Sequence, residues 1–139
     1  MTSIPASGAL PVSQLIGDDV IRVASDATIH DVARALMAEA VGAVVLGDEE
    51  RPVALVSERD VVRTVAEGSD PTTTPASSVA SRELVWCDIE STVEEVATEM
   101  LSRYIRHVLV EEDGELTGIV SARDLLGAYN AEGPDGLTD

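Results

Sequence analysis

An α+β fold made of two tandem copies of one β-α-β-β-α unit is what this sequence predicts. Three observations predict it. The chain repeats itself after 64 positions without a gap, with eight identities between residues 26–62 and 90–126. Within each copy, apolar periodicity switches between helix and strand values. Each copy is about 50 residues, too small to bury a good core alone, so the two are expected to pack sheet to sheet as one pseudo-twofold module.

The matched identities are Thr28 with Thr92, Val32 with Val96, Ala33 with Ala97, Val44 with Val108 and Val56 with Val120. Ser57, Arg59 and Asp60 meet Ser121, Arg123 and Asp124. Pro11 also falls on Pro75, so each copy begins with a Pro-led segment. The expected organisation is a frayed N-terminus at 1–10, repeat one at 11–67, a linker at 68–74, repeat two at 75–130 and a frayed C-terminus at 131–139.

Taken in order, "VIRVA" (20–24) and "ELVWC" (83–87) are rich in β-formers and open each unit as short strands. A helix follows. Ile29, Val32, Ala33, Leu36, Met37 and Ala40 form one apolar stripe, and Val93, Val96, Ala97, Met100, Leu101 and Tyr104 repeat its phase. "TIHD" and "TVEE" open the two helices with capping-box spacing. "AVVLG" (43–47) and "VALVS" (53–57) then read as strands around a polar turn. "HVLVE" (107–111) and "LTGIVS" (116–121) do the same around "EDGE", where Gly suits the turn. Final helices start at "ERDVVRTVAEG" and "ARDLLGAY".

Composition narrows the function classes. The net charge is −17, and all nine basic residues are Arg. Such a surface repels phosphate backbones and anionic membranes, so neither nucleic acid nor membrane is an expected partner. An anionic ligand would need a local cluster of Arg or His. Hydrophobic content is 45% with no Phe, so the core is built from aliphatic residues. Cys87 is the sole cysteine, which leaves no internal disulfide and no cysteine zinc cluster. "MTSIPASGAL" lacks a basic and a long apolar region, and apolar runs reach about five residues, so a soluble cytoplasmic protein is expected.

A tandem β-α-β-β-α unit with Ser-x-Arg-Asp at the last strand–helix junction resembles the CBS domain pair, or Bateman module. The likeness covers roughly residues 11–129. It is carried by "TIHDVARALMAEAVGAVVL", "RHVLVEEDGELTGIVSARDLL", the doubled Ser-x-Arg-Asp and the Pro-led start of each copy. The resemblance implies a stand-alone regulatory module, not an enzyme. It implies an adenosine-containing ligand (AMP, ADP, ATP, S-adenosylmethionine or an NAD-type dinucleotide) bound in the cleft between repeats. It also implies a homodimer, and the leading function reading adds a separate enzyme or transporter that reads its state. Mg²⁺ enters only as the companion of a bound nucleotide.

Two readings of Ser-x-Arg-Asp stand side by side. One is a helix cap, worth about 1 kcal/mol. Against it, Asp looks short for the reach back that Glu or Gln makes in a capping box. The other follows from the resemblance: Asp60 and Asp124 each hold a ribose, as an ionised carboxylate accepts two vicinal hydroxyls. The copies predict unequal sites. Repeat two offers Ser121, Asp124, Arg123 and the pair Arg106–His107, closed by Val23, Ala24 and Ala27. Repeat one offers Ser57, Arg59 and Asp60 against Cys87, Asp88 and Ser91, with Gly42–Ala43 where repeat two has Arg–His. Ala54, in place of Gly118, suggests a tighter backbone approach there.

Cys87 reads as a small buried strand residue and Trp86 as a cover for a dimer seam, with stacking on an adenine as its other role. Val61, Val62 and Val65, with Leu125, Leu126 and Tyr129, are candidate dimer surfaces. His30 has no partner nearby, and no Ser-His-Asp, Cys-His or metal-ligand spacing is present, so no catalytic or metal residue is assigned. The competing function is a structural or interaction scaffold that binds no nucleotide.

Overall fold

The computed structural model describes residues 6–16 and 20–128, the side chains of Ala6 and Ser7 excepted. Tyr129 and the segments 1–5 and 131–139 lie outside them. The α+β class and the tandem repeat are as the sequence predicts.

In chain order a short helix α1 (Ala6–Ala9) and a 3₁₀ turn (Val12–Leu15) precede strand β1 (Arg22–Val23), helix α2 (Ile29–Glu39), strands β2 (Ala43–Leu46) and β3 (Leu55–Ser57), and helix α3 (Glu58–Ala66). A second 3₁₀ turn (Ala76–Ser78) leads into β4 (Trp86–Asp88), α4 (Val93–Arg103), β5 (His107–Glu112) and β6 (Glu115–Ser121). Residues 122–128 are helical and are called α5. The two sheets are ordered β1-β2-β3 and β4-β5-β6. In each, the first strand runs parallel to the central one and the last antiparallel. A helical crossover makes the parallel pair and a turn makes the antiparallel one, as the predicted order requires.

The first strands are shorter than their β-rich sequence suggests, and β4 starts at Trp86, three residues later than expected. The hairpin of repeat two closes on Asp113 and Gly114, both at positive φ (54° and 83°), between the paired Glu112 and Glu115. Asp and Gly are the residues that adopt this turn at least cost. A bulge follows: Val110 pairs Gly118 and Glu111 pairs Leu116, and the extra Thr117 turns its hydroxyl onto Val110 O at 3.1 Å.

Both helix starts are capping boxes. Thr28 Oγ1 accepts Asp31 N–H (3.1 Å) and Asp31 Oδ2 accepts Thr28 N–H (3.0 Å). Thr92 and Glu95 repeat this at 3.1 and 2.9 Å. Both helix ends carry a left-handed non-glycine residue, Ala40 and Tyr104, each at φ 57°. The apolar stripe is narrower than predicted. Ile29, Val32 and Leu36 are buried, as are Val93, Val96 and Met100. Met37 and Leu101, although within the helices, are 83% and 78% exposed.

Contacts divide the chain into two units, Asp19–Leu84 and the pair of segments Met1–Asp18 with Val85–Asp139. The Pro-led segments are therefore exchanged. Pro11 bridges Thr92, Val12 N–H donates to Ser91 O (2.8 Å) and Val93 N–H donates to Leu10 O (2.8 Å). Pro75 bridges Thr28, Ala76 N–H donates to Ala27 O (2.9 Å) and Ile29 N–H donates to Thr74 O (3.0 Å). Each lead-in docks on the helix of the other repeat and buries Val12 or Ala76 there at 0% exposure. Residues 6–10, expected to fray, thus include a helical turn and an anchored Leu10.

The segment of linker composition is folded as well. Asp70 accepts Thr72 N–H and its hydroxyl through Oδ1, and Asp70 O accepts Thr74 N–H at 2.9 Å. Pro71 O takes His30 N–H at 3.0 Å.

One core gathers Ile29, Val32, Leu36, Val44, Leu46, Ala54, Val56 and Ala76. The other gathers Val12, Val93, Val96, Met100, Val108, Val110, Val120 and Leu125. Leu125 is thus a core residue at 5% exposure, not a surface for dimerisation, because α5 turns that face onto β6 and α4. Val61 is half-buried against the first core, while Val62, Val65 and Leu126 are exposed.

Candidate functional site

The site is built at the junction of a strand and a helix, once per repeat. In repeat two, β5 and β6 pair His107 with Ser121. Ala122 N–H donates to Arg106 O at 2.8 Å as α5 leaves the sheet. One ladder thus brings Arg106, His107, Ser121 and Asp124 to the same sheet end. Ser121 N–H donates to Asp124 Oδ2 (2.9 Å) and Asp124 N–H donates to Ser121 Oγ (3.1 Å). Arg106 and Arg123 are exposed, and among the described residues neither forms an ion pair. His107 is half-buried. Arg106, His107 and Arg123 thus stand at this end of the sheet in a chain of net charge −17, where an anionic ligand needs local basic groups.

Repeat one builds the same frame with different side chains. Ala43 pairs Ser57, and Glu58 N–H donates to Gly42 O at 3.0 Å. Ser57 N–H donates to Asp60 Oδ2 at 2.8 Å, and Ser57 Oγ–H donates to the same oxygen at 3.3 Å. Asp60 Oδ1 receives Arg63 Nη2 at 2.7 Å. Asp60 is buried and Arg59 exposed. Both motif aspartates therefore do reach back to the serine amide. The expectation that Asp is too short for a capping box is corrected: the extended φ/ψ of Ser57 (−114°, 170°) swings its N–H toward the third helical residue. Asp31 makes the same reach.

The remaining expected residues are placed as follows. Val23 is half-buried against the first core, Ala27 is buried, and Ala27 N–H donates to Ala24 O at 3.0 Å. Asp88 and Ser91 close a turn after β4, with Asp88 N–H donating to Ser91 Oγ (3.2 Å) and Ser91 N–H to Asp88 O (2.9 Å). Cys87 is half-buried against the second core, and burial, then Asp88 and Glu111, push its thiol up to about 11. It is a protonated packing residue at neutral pH.

The Ala54 departure has a packing cause. A Cβ on Gly118 would stand 2.5 Å from Ile16 Cγ2. The residue at the position of Ile16 in the other repeat is Ala80, which packs against the core containing Ala54. Glycine with isoleucine in one unit answers alanine with alanine in the other.

The CBS domain model matches residues 12–67 and 76–131. This chain belongs to the CBS domain family. It is 34% identical to a CBS-domain protein of Agrobacterium tumefaciens, with a TM-score of 0.78 over 85% of this chain and 98% of that one. It is 33% identical to a Pyrobaculum aerophilum CBS domain protein whose structure is a complex with AMP, with a TM-score of 0.75 over 88% and 99% of the chains. It is 27% identical to an uncharacterised protein of Methanopyrus kandleri over 85% of this chain, spanning 62% of that relative's length. CBS pairs are regulatory modules. Among the described residues no group of three His, Cys, Asp or Glu could hold a metal ion, and no helix is long and apolar enough to cross a membrane.

Arg63 is the residue that sequence reasoning missed. It sits three residues after Asp60, and its counterpart in repeat two is Gly127. An acid–base pair at i,i+3 on a helix was the available signal.

Proposed function

We propose that this CBS-domain protein is a non-enzymatic regulatory module that takes an adenosine-containing ligand at the Ser121–Asp124 end of repeat two. One observation carries the reading: Asp124 gives one carboxylate oxygen to the Ser121 amide, while its other oxygen has no partner among the described residues. That oxygen would accept the ribose hydroxyls, with Oδ2 able to share. Arg106, His107 and Arg123 supply the charge that offsets a phosphate. The AMP held by the Pyrobaculum aerophilum protein supports the ligand class. ADP, ATP with Mg²⁺, S-adenosylmethionine and NAD-type dinucleotides share the adenosine group that Asp124 would hold. The module acts in the cytoplasm as a homodimer, and ligand shifts a conformational or dimer equilibrium that a separate enzyme or transporter reads.

A scaffold that binds no nucleotide is favoured by one feature, the complete cap that Ser121 and Asp124 already form. Thermal unfolding with AMP, ADP, ATP, S-adenosylmethionine and NADH, each at about 1 mM, separates the two. A ligand present at 100 times its dissociation constant adds about 2.7 kcal/mol, several degrees at this size. A shift lost in Asp124→Ala supports the ribose clamp; no shift across the panel supports the scaffold.

A further inference from the structure

We infer that Arg63 latches the repeat-one carboxylate, so that the chain takes one ribose-bearing ligand, at Asp124, and none at Asp60. This rests on the ribose reading of Ser-x-Arg-Asp and goes beyond it, because the two aspartates share that motif and differ in what already holds them.

In repeat one both carboxylate oxygens are engaged. Asp60 Oδ2 accepts the Ser57 amide at 2.8 Å and the Ser57 hydroxyl at 3.3 Å. Oδ1 is ion-paired with Arg63 at 2.7 Å. The Asp60 side chain is 11% exposed and that of Arg63 45%, so the guanidinium lies over the carboxylate from the solvent side. A ribose would have to displace a charge-assisted hydrogen bond with neutral hydroxyls, an exchange of a stronger bond for weaker ones. In repeat two the corresponding position is Gly127, which carries no side chain, and Ser121 Oγ accepts the Asp124 amide. Among the described residues Asp124 keeps one oxygen open. The latch is short-range and in-helix, so it forms with α3 itself and needs no other element. Gly42 and Ala43, where repeat two has Arg106 and His107, agree with a site that takes no phosphate.

The two positions can be exchanged experimentally. Among the described residues a Cβ at Gly127 meets nothing within 4 Å, so the start of a side chain is accommodated there. Isothermal titration calorimetry with AMP on the full chain reads the stoichiometry. One AMP per chain, abolished by Gly127→Arg and retained by Gly127→Ala, is the expected result. Arg63→Gln is expected to raise the stoichiometry to two, and the added site is expected to disappear in Arg63→Gln/Asp60→Ala. Far-UV circular dichroism confirms that each variant is folded. Two AMP per wild-type chain, or undiminished affinity in a folded Gly127→Arg, overturns the latch while leaving the ribose reading intact. Tighter binding in wild type than in Arg63→Gln at a site that needs Asp60 overturns it too, since Arg63 would then be a ligand contact. No binding of AMP, ADP, ATP, S-adenosylmethionine or NADH by any of these chains overturns the ribose reading and the latch together.

Discussion

Ile16 packs directly over Gly118 in the middle of β6, and this predicts a substitution that should fail alone and succeed in company. Gly118→Ala places a Cβ 2.5 Å from Ile16 Cγ2, 3.2 Å from its Cδ1 and 3.3 Å from its Cγ1. Ordinary contact begins near 3.5 Å, so Ile16 must move by about 1 Å within a core where Val110, the partner of Gly118, is fully buried. Overpacking of this kind costs roughly 2 kcal/mol. Ile16→Ala alone removes a half-buried side chain and costs about 2 kcal/mol, at the low end for such truncations. The double variant recreates the alanine pair that repeat one uses at Ala54 and Ala80. Its cost should fall below the sum of the single costs by about 1–2 kcal/mol. Urea denaturation followed by circular dichroism reads all four corners of the cycle. Additive single costs would refute the reasoning, because the clash would then not be with Ile16.

Other predictions concern caps, pH and the thiol. Ala40→Gly should raise stability by roughly 0.5–1 kcal/mol in chemical denaturation, since Ala40 occupies left-handed φ at 57° and Gly does so freely. Thr92→Ala should lower stability by about 1 kcal/mol by removing the acceptor for Glu95 N–H. Hydrogen bonds from the Thr28 and Thr72 amides, then their hydroxyls, hold Asp31 and Asp70 below the ordinary value of 3.8. A depressed carboxyl stabilises the fold above its unfolded value and loses that contribution as pH falls through the folded one. Stability should therefore decline on acidification below about pH 4, and Asp31→Asn should flatten that decline in a pH series of unfolding curves. With its thiol near 11 rather than 9.0, Cys87 should hold about 100-fold less thiolate at pH 8 than an unperturbed cysteine. Its labelling by a disulfide reagent should be correspondingly slow.

The repeat made the fold legible because each element is matched by one with the same local physics. Both capping boxes, both hairpins and the Ser-x-Arg-Asp junctions lie where their residues place them. The exchange of the Pro-led segments was not legible for a reason of symmetry. Sliding the chain by 64 residues pairs Pro11 with Pro75 whether each docks on its own helix or on the other repeat's. The over-wide apolar stripe had a different cause. Periodicity alone places Met37 and Leu101 on the core face, but the buried stripe is only as wide as positions i, i+3 and i+7, and a sequence period does not say how wide a face its neighbours cover. At the site, the frame of each strand–helix junction could be read from identity, whereas the state of each aspartate turns on Arg63 against Gly127. That difference lies one residue past the compared window.

The claim that Asp124 is the ribose-binding carboxylate is tested most directly by amide NMR of the full chain titrated with AMP. The Ser121 and Asp124 amides, each tied to the other's side chain, should show the largest shift changes, with Ser57 and Asp60 nearly still and the response gone in Asp124→Ala. Shifts centred on Ser57 and Asp60, or a response unchanged in Asp124→Ala, would contradict it.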